Sequence, residues 1–179
     1  MNQPARLTGA QETSLAIAAA VVTANAYYIH PIIGDVADHF GVSHARIGLV
    51  PALNQLALAV GIFMLLPLGD RISNRRLTIA FATGQTLSLA IMTLAEGFSL
   101  FVLGSTLLGY FTIAPYLLPA YASKRVAPER LGQVTAKLAA GIILGILVAR
   151  VGAGVVSERY GWRAVYWMAT ALMLAVTIA

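Results

Sequence analysis

The sequence predicts an all-α integral membrane protein: six transmembrane helices arranged as two inverted three-helix repeats. Three observations predict it. Only 11% of the residues are charged and 59% are hydrophobic, against about 25% charged in ordinary soluble domains. The apolar residues fall in runs of about 18 or more, long enough to span a bilayer, and the charges gather in short connections between them. The chain also repeats itself at a separation of 84 residues. Val42, Arg46, Gly48, Val50, Ala52, Gly61, Ile62, Ser73 and Arg75 fall on Val126, Arg130, Gly132, Val134, Ala136, Gly145, Ile146, Ser157 and Arg159. This pairs the second span with the fifth, which cross in opposite senses, and inverted three-helix units are a transporter feature. Shared Gly, Ala and Ile composition is the competing explanation.

Element by element, the runs place α1 at about 13–34, α2 at about 46–68 and α3 at about 77–95. They place α4 at about 99–121, α5 at about 133–157 and α6 from about 164 to the end. Residues 1–12 are an N-terminal segment, and 13–179 form one transmembrane domain whose repeats run 13–95 and 99–179. Arg6 ahead of an apolar stretch from Leu15, with Ala24-Asn25-Ala26 as a small-residue cleavage site, can also be read as a signal peptide. The apolar character continues through Tyr27, Tyr28, Pro31, Ile32 and Ile33, long enough to span, so α1 is read as retained. At the other end α6 is short, with no polar anchor behind Leu-Ala-Val-Thr-Ile-Ala. A full span takes about 20 residues. The expectation is a helix cut short, with a second six-helix half or a second copy as partner.

Composition also excludes. The net charge of +5 does not gather into one stripe, so nucleic acid is excluded as a partner. With no cysteine there is no disulfide and no thiolate metal site. No His-Glu-x-x-His and no paired embedded carboxylates occur, so an intramembrane enzyme is not expected, nor is a cofactor or metal. Every acid is read at or outside a helix end, so a proton-coupling carboxylate has no place in this segment.

The strongest local pattern is Pro67-Leu68-Gly69-Asp70-Arg71-Ile72-Ser73-Asn74-Arg75-Arg76 between α2 and α3. It resembles the loop signature of the major facilitator superfamily, Gly-x-Leu-x-Asp-Arg-x-Gly-Arg-Arg. Leu68, Asp70, Arg71 and Arg75 match, and Leu66 and Ser73 replace the glycines. The resemblance implies a conformational latch formed by Asp70, Arg71, Arg75 and Arg76, with the acid facing a helix N-terminus of the other half. A plain basic loop is the alternative. Asn25 to Pro31, with Gly41-Val42-Ser43 and Gly48, resembles bacterial drug-efflux-like members, as does Gly161-Trp162-Arg163-Ala164-Val165-Tyr166-Trp167. Two departures stand against that branch. Ser105 occupies the place of an Arg four residues before Gly109, and α5 lacks the family's Gly-Pro pair.

The resemblance implies half of a 12-helix transporter. Helices α1, α2, α4 and α5 would line a central cavity for a small-molecule substrate, in a bacterial cytoplasmic (inner) membrane. Protons are a candidate coupling ion. A remnant or structural subunit without transport of its own is the alternative. Substrate-cavity candidates are Tyr28, His30, Asn54, Gln55, Tyr110, Tyr116 and Arg150. Arg150 is a charge inside a span, which faces either a cavity or, by snorkelling, the interface. His30 is either a proton relay or an interfacial imidazole. Asn54 and Gln55 line the cavity or hydrogen-bond within the core. Tyr110, Pro115, Tyr116 and Pro119 mark α4 as bent and polar on one face. Gly141 and Gly145 form a small-residue stripe that packs inside the bundle or between molecules.

Orientation follows from the basic residues. Arg6, Arg71, Arg75, Arg76, Lys124, Arg125, Arg130 and Lys137 fall on one side, against Arg46, Arg159 and Arg163 on the other. Cytoplasmic loops carry the excess, so the N-terminus is expected in the cytoplasm. A cysteine at position 97 should react with an impermeant reagent added outside and one at position 73 should not. The reverse pattern overturns the topology.

Overall fold

A computed structural model describes residues 7–178, with the side chains of Asp70, Asn74 and Ala120 outside the description. Every regular element there is helical. The helices are α1 (Gly9–Phe40), α2 (His44–Gly69), α4 (Phe98–Ser123) and α5 (Pro128–Tyr160), with α3 (Asn74–Leu94) and α6 (Trp162–Ile178). All but α6, at 17 residues, are long and apolar enough to cross a membrane.

α1 begins earlier than its apolar run suggests. The Thr8 N–H donates to Gln11 Oε1 at 2.9 Å and the Gln11 N–H donates to Thr8 Oγ1 at 3.3 Å, a reciprocal cap that starts the helix at Gly9. It also ends later. Val36 and Ala37 turn onto the core while Asp35 and Asp38 face outward, and Gly41 at φ 61° closes the helix. Asp35 therefore sits inside a helical segment and accepts a 2.5 Å hydrogen bond from Ser157 Oγ of α5. This corrects the expectation that every acid lies at or outside a helix end.

Two helices are broken, at matching places. α1 is interrupted between Ala24 and Ile29, and α4 between Phe111 and Ala114. Pro31 and Pro115 follow the breaks. Proline has no N–H for the carbonyl four residues earlier, here Tyr27 and Phe111. Other donors take those carbonyls. The His30 N–H reaches the Tyr27 oxygen at 3.4 Å, and the Ile113 N–H reaches the Phe111 oxygen at 2.9 Å. Pro31 and Pro115 stand in the same 84-residue register as the other repeated positions.

Packing follows the same pairing. α5 runs alongside α1 and α2 lies against α4 as the most extensive contacts. A Cβ placed on Gly145 would come 2.6 Å from the Ala20 oxygen, and one on Gly141 2.8 Å from the Ala16 oxygen. A Cβ on Gly61, the partner of Gly145 in the repeat, would come 2.5 Å from the Tyr110 oxygen. Gly109 in turn lies against the Asn54 main chain. α3 fills the space between α4 and α6.

The bundle interior holds two layers. At the end away from the N-terminus, Phe101 packs on Phe40 (5.5 Å between centroids), Trp162 (5.4 Å) and Tyr166 (5.5 Å). Arg163 Nη2 closes that end with a 2.7 Å hydrogen bond to the Ala95 carbonyl. Deeper lies a buried polar network. Asn25 Nδ2 donates to Gln85 Oε1 at 3.0 Å, and Gln85 Nε2 donates to Thr112 Oγ1 at 2.7 Å. It joins the two breaks through α3. At the N-terminal end the buried Glu12 carboxylate accepts from Arg130 Nη2 at 3.0 Å, with Lys137 Nζ at 3.9 Å.

The α1–α5 contact yields a matched pair of variants. Gly145→Val should destabilise the bundle by about 1–3 kcal/mol, because the added carbons meet main chain that cannot retreat. Gly152→Ala, with nothing within 4 Å of its would-be Cβ, should leave stability unchanged or slightly raised. Thermal unfolding in mild detergent measures both.

Candidate functional site

The break in α1 carries a cluster of polar and aromatic groups at the surface of the bundle. Tyr27 stands at the break, and its ring stacks on His30 with centroids 5.6 Å apart and planes at 22°. His30 Nδ1 lies 3.2 Å from the Tyr27 carbonyl oxygen. Across the seam, the Arg150 guanidinium of α5 sits over the Tyr27 ring at 5.5 Å. Tyr116 is exposed on the second segment of α4.

Arg150 is exposed and is the one charged residue between Leu138 and Val156. It lies about 20 Å along the helix from Lys137 and about 12 Å from Glu158. Among the described residues no carboxylate is within ion-pair distance of it, and the ion pairs found there both involve Glu12. A cation at the centre of a span costs about 2.5–3.5 kcal/mol on insertion scales, so such residues face a cavity or a partner.

The other sequence candidates scatter. Tyr28 turns away from this cluster into an apolar groove of about 420 Å³ between α1, α5 and α6, beside Met168 and Leu172. Asn54 is buried, and its Nδ2 donates to the Ser105 carbonyl at 2.7 Å. Its amide is therefore engaged in α2–α4 packing. Gln55, one residue on, is exposed. Tyr110 is half-buried, edge-on to Phe111 at 5.4 Å, and its carbonyl is the one that Gly61 meets. Gly141 and Gly145 are occupied by α1, which is packing within the bundle. At the end of α2, residues Leu66–Asp70 form a 3-10 turn, and Arg71 beyond it and Arg75 and Arg76 at the start of α3 are exposed. The Asp70 side chain, central to the expected latch, lies outside the described residues. Arg75 also borders a groove of about 530 Å³ at the N-terminal end, with Thr78, Tyr121 and Thr177. Among the described residues no group of His, Asp and Glu is placed to hold a metal.

Sequence reasoning missed Tyr27, Gln85 and Glu12. Tyr27 carried a readable signal, since it precedes Pro31 by four residues and His30 by three. The Thr8-x-x-Gln11 cap would have drawn Glu12 into α1 and toward Lys137. Nothing in the local sequence marks Gln85, whose role depends on two breaks in other helices.

The family model described as Major Facilitator Superfamily matches residues 15–179. The chain belongs to this superfamily. It is 31% identical over 165 residues to the uncharacterized transporter YgaY of Escherichia coli O157:H7, covering 92% of this chain and 42% of that protein. It is 28% identical over 165 residues to the protein of Streptomyces coelicolor named "Probable transporter SCO4007", covering 92% of this chain and 38% of that one. The chain thus spans about two fifths of the length of the curated relatives it matches. Membership of a transporter superfamily and the run of apolar helices make this a multi-pass membrane protein.

The cysteine-free background allows a direct check of which residues meet water. Tyr116→Cys should react readily with a small water-soluble methanethiosulfonate. Asn54→Cys, 2% exposed as Asn, should react far more slowly. Equal rates at the two positions would refute the placing of Tyr116 on an exposed face and Asn54 in the packed interior.

Proposed function

We propose that this chain forms the N-terminal half of a secondary transporter that moves a small molecule by alternating access, in the efflux direction, across a bacterial inner membrane with its N-terminus in the cytoplasm. One observation carries the reading: exposed Arg150 lies over half-buried Tyr27, which stacks on His30, in the middle of an otherwise apolar bundle, with Tyr116 exposed on α4. Such a face is costly against lipid and natural against a second half enclosing a hydrated path. The inverted repeats at about 13–95 and 99–179 supply the scaffold. Superfamily membership and the names of the relatives support transport in general. The basic bias of the loops supports the orientation.

In this reading the loop from Leu66 to Arg76 is the latch, and Asp70 acts on the conformational balance and not on the substrate. A partly buried contact between a carboxylate and a helix N-terminus is worth up to about 2 kcal/mol. Losing it shifts a balanced equilibrium roughly 30-fold. In the intact transporter, Asp70→Asn should sharply lower the movement of labelled small molecules across everted membrane vesicles, with equilibrium binding nearly unchanged. Wild-type flux, or equal loss of binding and flux, refutes the latch.

A further inference from the structure

We propose that Arg150 anchors an anionic group, a carboxylate or phosphate, carried on an apolar or aromatic substrate body. The inference rests on the reading that the face shared by α1, α4 and α5 lines the substrate path.

The argument starts from what Arg150 lacks. A guanidinium has five N–H donors in a fixed fork suited to planar oxyanions. Among the described residues none of those donors has a hydrogen-bond or ion-pair partner, and the contact Arg150 makes is with the face of the Tyr27 ring. The nearby acids are engaged elsewhere or lie toward the helix ends. Asp35 accepts from Ser157, Glu12 is held by Arg130 at the opposite end, and Asp38 and Glu158 lie outside the long apolar run of α5. Asp35 keeps its charge but is held at Ser157, about 10 Å along α5 from Arg150, so the local potential at Arg150 is positive. It favours an approaching anion and disfavours a cation.

The surroundings specify the rest of the ligand. Tyr27 offers one ring face to the guanidinium, His30 stacks against Tyr27, and Tyr116 is exposed on α4. Flat apolar surfaces next to a single cation suit a molecule with one charged end and an apolar or aromatic body. A lipid phosphate offers the same oxyanion, so the test separates the two sources.

The whole chain is reconstituted in phospholipid nanodiscs and treated with phenylglyoxal, which condenses with guanidinium groups. Modification of the peptide containing Arg150 is followed by mass spectrometry, with Arg71, Arg75 and Arg76 as exposed references. Benzoate is the probe. Benzamide and sodium chloride at equal ionic strength are the controls. Benzoate should slow modification of Arg150 alone, by about fourfold at three times its dissociation constant for a single site. Benzamide and chloride should do nothing. Tyr27→Leu should reduce benzoate protection to the level given by acetate. If benzamide protects as well as benzoate, the anion proposal is overturned while the hydrated face stands. If Arg150 is not modified while the reference arginines are, the face does not meet water, and both readings fall. If modification is slow in phospholipid, becomes fast in dodecyl maltoside and ignores benzoate, the ligand is a lipid phosphate and the substrate role is overturned.

Discussion

The structure depends on how closely α1 and α5 approach. Inside a bilayer no hydrophobic force draws helices together, because lipid tails are as apolar as leucine. Association rests on van der Waals contact and hydrogen bonds. Gly141 and Gly145 remove the side chains that would hold the two backbones apart. Polar ties fix the register at both ends, with Lys137 Nζ on Thr13 Oγ1 at 2.7 Å and Ser157 Oγ on Asp35. The small residues allow the contact, and the end ties choose one alignment from several that a smooth stripe would permit.

The second seam, between α2 and α4, solves the same problem with different parts. Gly61 and Gly109 provide the close approach, and Asn54 provides a polar tie from the middle of the seam to the Ser105 carbonyl. The drug-efflux-like pattern that the sequence resembles has an arginine at the place of Ser105. Here a buried serine with a nearby asparagine leaves that seam neutral. The cation of this bundle's exposed face stands instead on α5, at Arg150, on the flank of the glycine stripe that faces α1.

The fold was legible because its signals are long and redundant. Runs of about 20 apolar residues, short charged connections and the glycines at matched repeat positions all point the same way. Helix ends were less legible, since apolarity marks where a helix can meet lipid and not where it stops. Thr8 starts α1 early, and Val36 and Ala37 carry it onward for the sake of the core. The site was legible only in part. Arg150 is visible as a charge in an apolar run, and His30 as an imidazole in a span. Which of two adjacent tyrosines faces the arginine depends on the rotation of the helix at its break. Tyr27 meets Arg150, and Tyr28 faces α6. Composition could not separate Asn54 from Gln55 either, because neighbouring positions on a helix look in directions about 100° apart.

The hydrogen bonds through Gln85 have a direction. Donation runs from Asn25 Nδ2 to Gln85 Oε1, from Gln85 Nε2 to Thr112 Oγ1, and from Thr112 Oγ1 to the Leu108 carbonyl at 2.7 Å. With the Thr112 proton on that carbonyl, turning the glutamine amide alone would set its oxygen against an oxygen and its NH2 against the NH2 of Asn25. The two ends of the glutamine amide grip the interrupted turns of different helices, so rotation at either turn would strand a polar group in hydrocarbon. The two interrupted turns are in this way tied to each other through α3.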